Sequence, residues 1–469
     1  MAPHDGPGAV AGIGCRRSSL QFKPTMKSAL WSFCGLLICA GFARAQDVLP
    51  PAEVPHYRVQ YPPSDQPGEL IYGVSYTVWI PPDVKTVRGV IVHQHGCGEG
   101  ACRGGQTAAH DWHWQALARR HGCALLGPSY EQPEGADCGL WCDPRNGSDA
   151  RFRQALDDLA EQSGHPELRT VPWALWGHSG GGVWAGTMLM LHPQRTIAVW
   201  LRSGTPRMVA ESGSALPSME VPAAALGVPV MANLGTQEGV TIKDGRFAGV
   251  WEKNRVFFET LRSQGGLIGL AVDPHSSHDC GNSRYLAIPW FDACLAVRLP
   301  AEASSDLKPM PESTAWLAEI LTPEISPKAA FRGDPLTAVW LPNEAVAHAY
   351  AEYVRDGNVV DTTAPESPSG VRIRGATMTW EANADLESGI AGFVIERDGV
   401  EVARVPQQSA RNIGRPILQR TSYHDTPTPP LASMQYQSPE LADAAPASYA
   451  VRTINSVGLM SPPASAIRN

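Results

Sequence analysis

Apolar runs and amphipathic stretches alternate along the chain from about residue 69 to residue 300. Short apolar runs that end in glycine or polar residues predict buried strands, and apolar residues every three or four positions predict helices. The predicted strands are 88–96, 123–130, 171–179, 196–204, 228–236 and 267–274, and the predicted helices are 110–122, 149–163, 181–193 and 250–264. Repeated strand–helix units favour a parallel, doubly wound sheet, so the predicted class of this part is α/β.

The pattern changes twice after residue 300. Residues 301–360 are rich in proline and less periodic, with one helical stretch at 343–357, and they read as a connector that packs on the first domain. Residues 361–469 alternate as strands do, with an Asp398-Gly399 hairpin turn. Because 469 residues exceed one ordinary core, we expect an α/β domain at 46–300, the connector, and an all-β domain at 361–469.

The last stretch of the all-β part carries a resemblance. Strand positions from Tyr449 to Thr453 lead into a turn from Asn455 to Leu459, and Trp380 stands in an earlier strand. These features resemble a fibronectin type III domain, which implies a seven-strand sandwich without an active site. Such domains usually join their neighbours through modest interfaces, so we expect the α/β domain to fold without this one.

The first 45 residues predict export. Met26-Lys27 is a short basic start, an apolar stretch runs from about Ala29 to Ala43, and small residues precede an expected cleavage after Ala45. The apolar run is shorter than the ~20 residues of a membrane span. Residues 1–25 are interpreted as an over-long start, and the mature protein is expected to be secreted or periplasmic.

Composition fits a globular protein and disfavours a nucleic-acid partner. The net charge is −8, and Lys and Arg form no cluster. Three of the ten cysteines precede residue 46, and the other seven are Cys97, Cys102, Cys123, Cys138, Cys142, Cys280 and Cys294. In an oxidising compartment some of these should pair, with at least one left free, and spacing alone does not identify the pairs. Zinc is the alternative, but no Cys-x-x-Cys motif is present.

One motif stands at the end of a predicted strand. Gly177-His178-Ser179-Gly180-Gly181 fits the G-x-S-x-G pattern, in which a serine occupies a strained strand-to-helix turn. Side chains two positions before and after the serine would clash in that turn, which explains the glycines. The pattern by itself is weak, but here it follows an apolar strand and opens a predicted helix. Ser179 is therefore the candidate nucleophile.

A nucleophilic serine needs an acid and a base, which should follow later strands of the same sheet. Glu238 follows the strand at 228–236 and is the candidate acid, with Asp244 as the second choice. After the strand at 267–274 the chain offers His275 and His278. We favour His278 as the base because it leaves more loop to fold back over the edge of the sheet.

The loop after the strand at 88–96 is the candidate oxyanion site. His95-Gly96 leads to Cys97, whose backbone N–H is expected to act with that of Gly180. His93 and His95 could instead chelate a metal as a His-x-His pair. A histidine–glycine pair at a strand end is better explained by backbone geometry, so no metal and no cofactor are expected.

Residues 69–300 thus resemble an α/β-hydrolase in the serine turn, the oxyanion loop, the acid and the terminal histidine. The departures are a glutamate where an aspartate is usual and the two competing histidines. The resemblance implies a carboxylic ester hydrolase that works through an acyl-serine, on a small-molecule or polymeric ester, with the C-terminal domain available for polysaccharide or surface contact. The alternatives are a serine peptidase, a polyester depolymerase, or a non-catalytic adhesion or binding protein with a broken triad.

Overall fold

The computed structural model describes residues 50, 52–209, 216–300, 306–408, 410–411, 415–442 and 447–468. The predicted signal peptide at residues 1–45 lies outside them.

A large, mostly parallel sheet organises the first part of the described chain. Its strands are β1 (His56–Tyr61), β2 (Val74–Trp79), β3 (Val90–Gln94), β4 (Ala124–Tyr130), β5 (Trp173–His178), β6 (Thr196–Arg202), β7 (Val230–Gly235) and β8 (Ile268–Asp273). They are ordered β1-β2-β4-β3-β5-β6-β7-β8, and β2 runs antiparallel to both of its neighbours while the other adjacent pairs are parallel. The α/β class with a mostly parallel sheet is confirmed.

Helices connect and cover these strands. They are α1 (Glu99–Gly105), α2 (Trp112–His121), α3 (Gly139–Cys142), α4 (Ser148–Ser163), α5 (Gly180–Leu191), α6 (Gly249–Arg262), α7 (Arg284–Arg298) and α8 (Glu344–Asp356). The four helices predicted before residue 300 correspond to α2, α4, α5 and α6. Helix α7 has no counterpart in the prediction, and it contains Pro289. Among the helices of the described residues, none has the length and apolar content needed to cross a membrane.

The register of the sheet brings functional positions to one edge. Gln94 of β3 lies beside Gly177 of β5, and Gly235 of β7 lies beside Asp273 of β8. Because these strands are parallel, the loops that follow their carboxyl ends meet above the same edge of the sheet. Below that edge lies an apolar core whose largest fully buried side chains include Trp114, Trp141, Trp173, Trp176, Trp184, Trp200 and Trp290.

The predicted connector contains a small sheet as well as the expected helix. Strands β9 (Trp316–Ala318), β10 (Ile325–Pro327) and β11 (Val339–Leu341) form an antiparallel sheet in the order β10-β9-β11. Helix α8 lies against β8. The Tyr350 hydroxyl donates to the Leu270 carbonyl, and the Tyr353 hydroxyl donates to the Asp273 carboxylate. The connector therefore packs on the first part of the chain.

Apart from one short 3-10 helix at Pro439–Ala442, the regular elements of the remaining described residues are strands. The strands are β12 (Ser369–Arg374), β13 (Thr377–Glu381), β14 (Ile390–Arg397), β15 (Val400–Val405), β16 (Ala410–Arg411), β17 (Pro416–Ile417), β18 (Gln435–Gln437), β19 (Tyr449–Asn455), β20 (Ala464–Ser465) and β21 (Ile467–Arg468). In this described part, one sheet has the order β18-β13-β12-β21 and another has the order β15-β14-β19-β20. Both contribute to one apolar core that includes Trp380 and Phe393. The resemblance to a fibronectin type III domain stays a prediction.

The all-β part joins the α/β part through buried polar contacts. The Arg284 guanidinium at the start of α7 lies 2.7 Å from an Asp111 carboxylate oxygen and 2.8 Å from one of Asp425, and all three side chains are buried. The side chain of Gln419 accepts from the Trp112 N–H and donates to a nearby carbonyl. The described residues form one compact unit. This interface contains buried charged side chains, whereas the sequence alone predicts a modest interface.

Candidate active site

Ser179 occupies the turn between β5 and α5. Its φ of 54° lies in the left-handed region, which a non-glycine residue rarely adopts. A Cβ on Gly177 would lie 2.0 Å from the Gly181 carbonyl oxygen, and a Cβ on Gly181 would lie 2.4 Å from the His95 carbonyl oxygen. The steric reason given for the glycines two before and two after the serine is therefore visible in the structure.

Three predicted residues form a hydrogen-bonded line. Ser179 Oγ lies 2.9 Å from His278 Nε2, and His278 Nδ1 lies 2.5 Å from Glu238 Oε1. A carboxylate can only accept, so Nδ1 carries the proton and Nε2 is free to accept from the Ser179 hydroxyl. Each residue follows a different parallel strand, β5, β7 or β8. The structure thus brings the candidate nucleophile, base and acid together in the order that general-base activation of a serine requires.

Glu238 is fixed by donors on its other oxygen. Its side chain is fully buried, and Oε2 accepts from the Ser203 hydroxyl at 2.7 Å and from the Gly235 N–H at 2.8 Å. These hydrogen bonds stabilise the negative charge of the Glu238 carboxylate, which burial alone would disfavour. The glutamate side chain is one methylene longer than the usual aspartate, and here it turns back to the end of its own strand.

The second choices for acid and base lie elsewhere. Asp244 is exposed, in the loop before α6. His275 is also exposed, and its ring lies beside Gly357 at the end of α8, where a Cβ would come within 2.9 Å of the imidazole. The structure therefore places Glu238 and His278, and not Asp244 and His275, beside Ser179.

A disulfide lies next to the serine on the candidate oxyanion side. Cys97, in the loop after β3, is bonded to Cys138, with 5.7 Å between the Cα atoms. A Cβ on Gly180 would lie 2.2 Å from Cys97 Sγ and 2.8 Å from Cys138 Sγ. The disulfide thus packs on the first turn of α5, where backbone N–H groups have no partner inside the helix. Within the described part of the chain, the free thiols are Cys102, Cys123, Cys142, Cys280 and Cys294.

Three of the residues weighed as metal ligands, Cys97, Cys138 and His95, have other partners. The Sγ atoms of Cys97, Cys138 and Cys142 lie within 4.8 Å of one another, but the first two form the disulfide and cannot act as thiolates. His95 Nδ1 lies 2.7 Å from the Gly96 carbonyl oxygen, and His95 Nε2 accepts from a backbone N–H. Burial lowers the pKa of His95 to about 3. The backbone explanation of His95 therefore fits the structure better than a metal pair with His93.

Two residues that the sequence analysis did not identify hold the base in place. Arg202, fully buried at the end of β6, donates to the backbone carbonyls of Ser277 and Asp279 on either side of His278. Although burial lowers the pKa of Arg202, nearby groups led by Glu238 raise it above its usual value. The Phe247 ring stacks on the His278 imidazole, with 3.8 Å between the ring centroids and 3° between the planes. A buried arginine in a strand is a weak sequence signal, and no signal indicated Phe247.

A cavity of about 610 Å³ opens beside Ser179 and His278. This volume is in the range of sites for small molecules. Its apolar wall is formed mainly by Val183, Pro206, Met208, Phe247, Val250 and Val256, and its polar residues include Arg207, Glu252 and Lys253. The cavity can therefore receive an apolar group while a polar neighbour remains near the charged residues.

Comparison with known proteins gives a likeness at low identity. The sequence matches no protein-family model and no curated protein. A poly(3-hydroxybutyrate) depolymerase from Bordetella parapertussis is 16% identical, with 53% of this chain and 92% of that chain covered and a TM-score of 0.35. A ferulic acid esterase is 17% identical over 49% of this chain and 93% of that chain, with a TM-score of 0.34. An acetyl xylan esterase from Aspergillus awamori is 13% identical over 38% and 72%, with a TM-score of 0.27.

Proposed function

We propose that this protein is a serine hydrolase that cleaves carboxylic esters. The observation that carries the proposal is the line from Ser179 Oγ to His278 Nε2, at 2.9 Å, and from His278 Nδ1 to Glu238, at 2.5 Å. A serine with a positioned base and a buried carboxylate behind that base is suited to nucleophilic attack on an acyl carbon. A non-catalytic binding protein would not need this alignment.

In the first half of the proposed reaction, Ser179 Oγ attacks the carbonyl carbon of the ester while its proton passes to His278 Nε2. The N–H groups of Cys97 and Gly180 would stabilise the negative oxygen of the tetrahedral intermediate. The intermediate collapses to an acyl-serine, and the leaving alcohol takes the proton from His278. Glu238 stabilises the imidazolium that exists between these two proton transfers.

In the second half, water attacks the acyl carbon and gives a proton to His278 Nε2. Collapse of the second intermediate releases the carboxylic acid and returns the proton to Ser179. No cofactor or metal takes part in this scheme. The Phe247 ring, stacked on His278, would keep the imidazole in the same orientation through both halves.

The cavity supports a substrate with an apolar group next to the ester. Burying each methylene group contributes about 0.8 kcal/mol, so the apolar wall favours chains longer than acetyl. With the predicted export signal, an extracellular ester is proposed as substrate, either a small molecule or a polymer with ester bonds or acyl substituents. A docking role on polysaccharide is proposed for the C-terminal sheets.

The test uses mature protein beginning at Gln46. We expect hydrolysis of p-nitrophenyl esters, with kcat/KM rising from acetyl to hexanoyl, and slower release of p-nitroaniline from matched anilides. Acetylated polysaccharides and a polyester, assayed in parallel, identify the polymer class. Ser179→Ala is the background control. Ester hydrolysis no faster than this control would refute the proposal, and faster cleavage of anilides would favour a peptidase.

A further inference from the structure

A turn of the C-terminal part lies against the candidate active site. Residues 421–427, called the 421–427 turn below, close on themselves because the Ser422 N–H donates to the Thr426 carbonyl at 2.7 Å. The Asp425 N–H donates back to the Ser422 carbonyl at 3.1 Å. This compact turn presents Tyr423 and His424 toward the loops that carry Ser179 and His278.

His424 connects this turn to the base through one intermediate residue. His424 Nδ1 lies 2.7 Å from Nδ1 of His178, the residue before the candidate nucleophile. On the other side of the His178 ring, Nε2 lies 2.6 Å from the backbone carbonyl oxygen of His278. The C-terminal part thus contacts the backbone of the proposed base through two imidazoles.

The protons in this chain of bonds can be assigned. A carbonyl oxygen only accepts, so His178 Nε2 must donate to the His278 carbonyl. Burial lowers the pKa of His178 well below its usual value, so its ring is neutral and Nδ1 accepts. Burial also lowers the pKa of His424 to about 4, so this ring is neutral and its Nδ1–H is the donor. Each imidazole therefore has a defined tautomer.

The same turn touches two other loops of the site. The Cys280 N–H, two residues after His278, donates to the Tyr423 carbonyl at 3.2 Å. A Cβ on Gly96, in the loop before Cys97, would lie 2.9 Å from His424 Nδ1. One turn therefore contacts the serine turn, the base loop and the oxyanion loop.

The turn is held in position by buried bonds to the α/β part. Arg284 pairs with Asp425 at 2.8 Å, and the Trp114 indole N–H donates to the same carboxylate at 3.4 Å. The Thr107 hydroxyl donates to the Pro427 carbonyl. The imidazole of His93 lies 3.6 Å from Asp425. With these contacts on both sides of it, His424 has little freedom to move away from His178.

We propose that His424 is a positioning residue, which acts through His178 to fix the loop that carries His278. The inference rests on the proposed function, because His278 must be the base for its position to affect turnover. The C-terminal sheets then complete the active site and are more than a spacer. Loss of the His424 donor leaves a buried acceptor on His178 unpaired, which weakens the bond to the His278 carbonyl and misplaces Nε2 relative to Ser179.

The test compares three substitutions in the full mature chain. His424→Phe keeps a ring but has no donor, His424→Gln carries its amide donor too far out, and His424→Asn places an amide donor near the position of Nδ1. We expect kcat about tenfold lower for Phe and Gln, with KM within about twofold, and kcat for Asn within about threefold of wild type. If the Phe variant does not fold, the Asn and Gln pair decides the question.

Gln419→Ala is the matched control. It removes two hydrogen bonds from the same interface, with the Trp112 N–H and the His110 carbonyl, and touches neither His178 nor His278. We expect a lower melting temperature and an unchanged kcat. The proposal is overturned if Gln419→Ala loses as much kcat as His424→Phe, if Asn is as impaired as Gln, or if all His424 variants match wild type.

Hydrogen exchange separates this inference from the proposed function. Amides in a peptide spanning 276–282 are expected to exchange faster in the Gln and Phe variants than in wild type, Asn or Gln419→Ala. This readout does not require ester hydrolysis. If the wild-type protein is inactive but the Gln and Phe variants still exchange faster than it does, the positioning role stands and the proposed function is rejected. If the wild-type protein is active but the variants exchange as it does, the positioning role is rejected.

Discussion

Replacing His278 with alanine is expected to lower kcat on a p-nitrophenyl ester by about 10³-fold or more, with little change in KM. The substitution removes the group that takes the proton from Ser179 Oγ at 2.9 Å, and it leaves the apolar wall of the cavity in place. The measurement is steady-state kinetics on the purified variant, with a melting curve to show that it is folded. His278→Gln, which preserves more of the side-chain volume, checks that packing is not the cause.

His275→Ala is the control for this prediction. The His275 ring is exposed and faces Gly357, so its removal should change kcat by less than about twofold. Equal losses in both variants would mean that the loop between them acts as a unit. The reverse ranking would move the base to His275 and contradict the geometry described above.

Ending the chain at residue 361 is expected to remove the folded, active enzyme. The truncation exposes the interface around Trp114, which is fully buried, and deletes the Asp425 partner of Arg284. The free energy of unfolding of a typical domain is only about 5–15 kcal/mol. Losing these contacts together therefore removes a large part of that stability. The measurement compares residues 46–361 with residues 46–469 by melting curve and by kcat on a small soluble ester.

This expectation reverses the one drawn from the sequence alone, in which the α/β part folds independently. The reversal depends on the contacts of Asp425 and His424. These residues occupy an irregular turn between strands and belong to no recognisable sequence motif. A truncated protein that melts like the full chain and keeps its kcat would show that these contacts are dispensable. A folded truncation with a tenfold lower kcat would agree with the role proposed for His424.

The parts of the site that the sequence predicted follow from local patterns. Apolar runs indicate the strands, and parallel strands place their following loops at one edge, so the sequence predicts that Ser179, Glu238 and His278 lie close together. The glycines around Ser179 also have a local steric cause. In each case the signal lies within a few residues of the position that it predicts.

The remaining parts depend on contacts between residues that are distant in the sequence. The pairing of Cys97 with Cys138 crosses 41 residues, and the stacking of Phe247 on His278 depends on how the loop before α6 folds. Helix α7 is an exception with a local cause, because Pro289 interrupts its helical pattern. Neither periodicity nor spacing contains the information that places His424 beside His178.

Labelling of Ser179 by a fluorophosphonate tests the central claim most directly. An activated serine reacts with this reagent while ordinary serines do not, and the Ser179 hydroxyl lies 2.9 Å from His278 Nε2. After incubation, digestion and mass spectrometry of the mature protein, we predict one adduct, on the peptide that contains Ser179, and none in Ser179→Ala. An adduct on another residue, or labelling that survives in Ser179→Ala, would contradict the account.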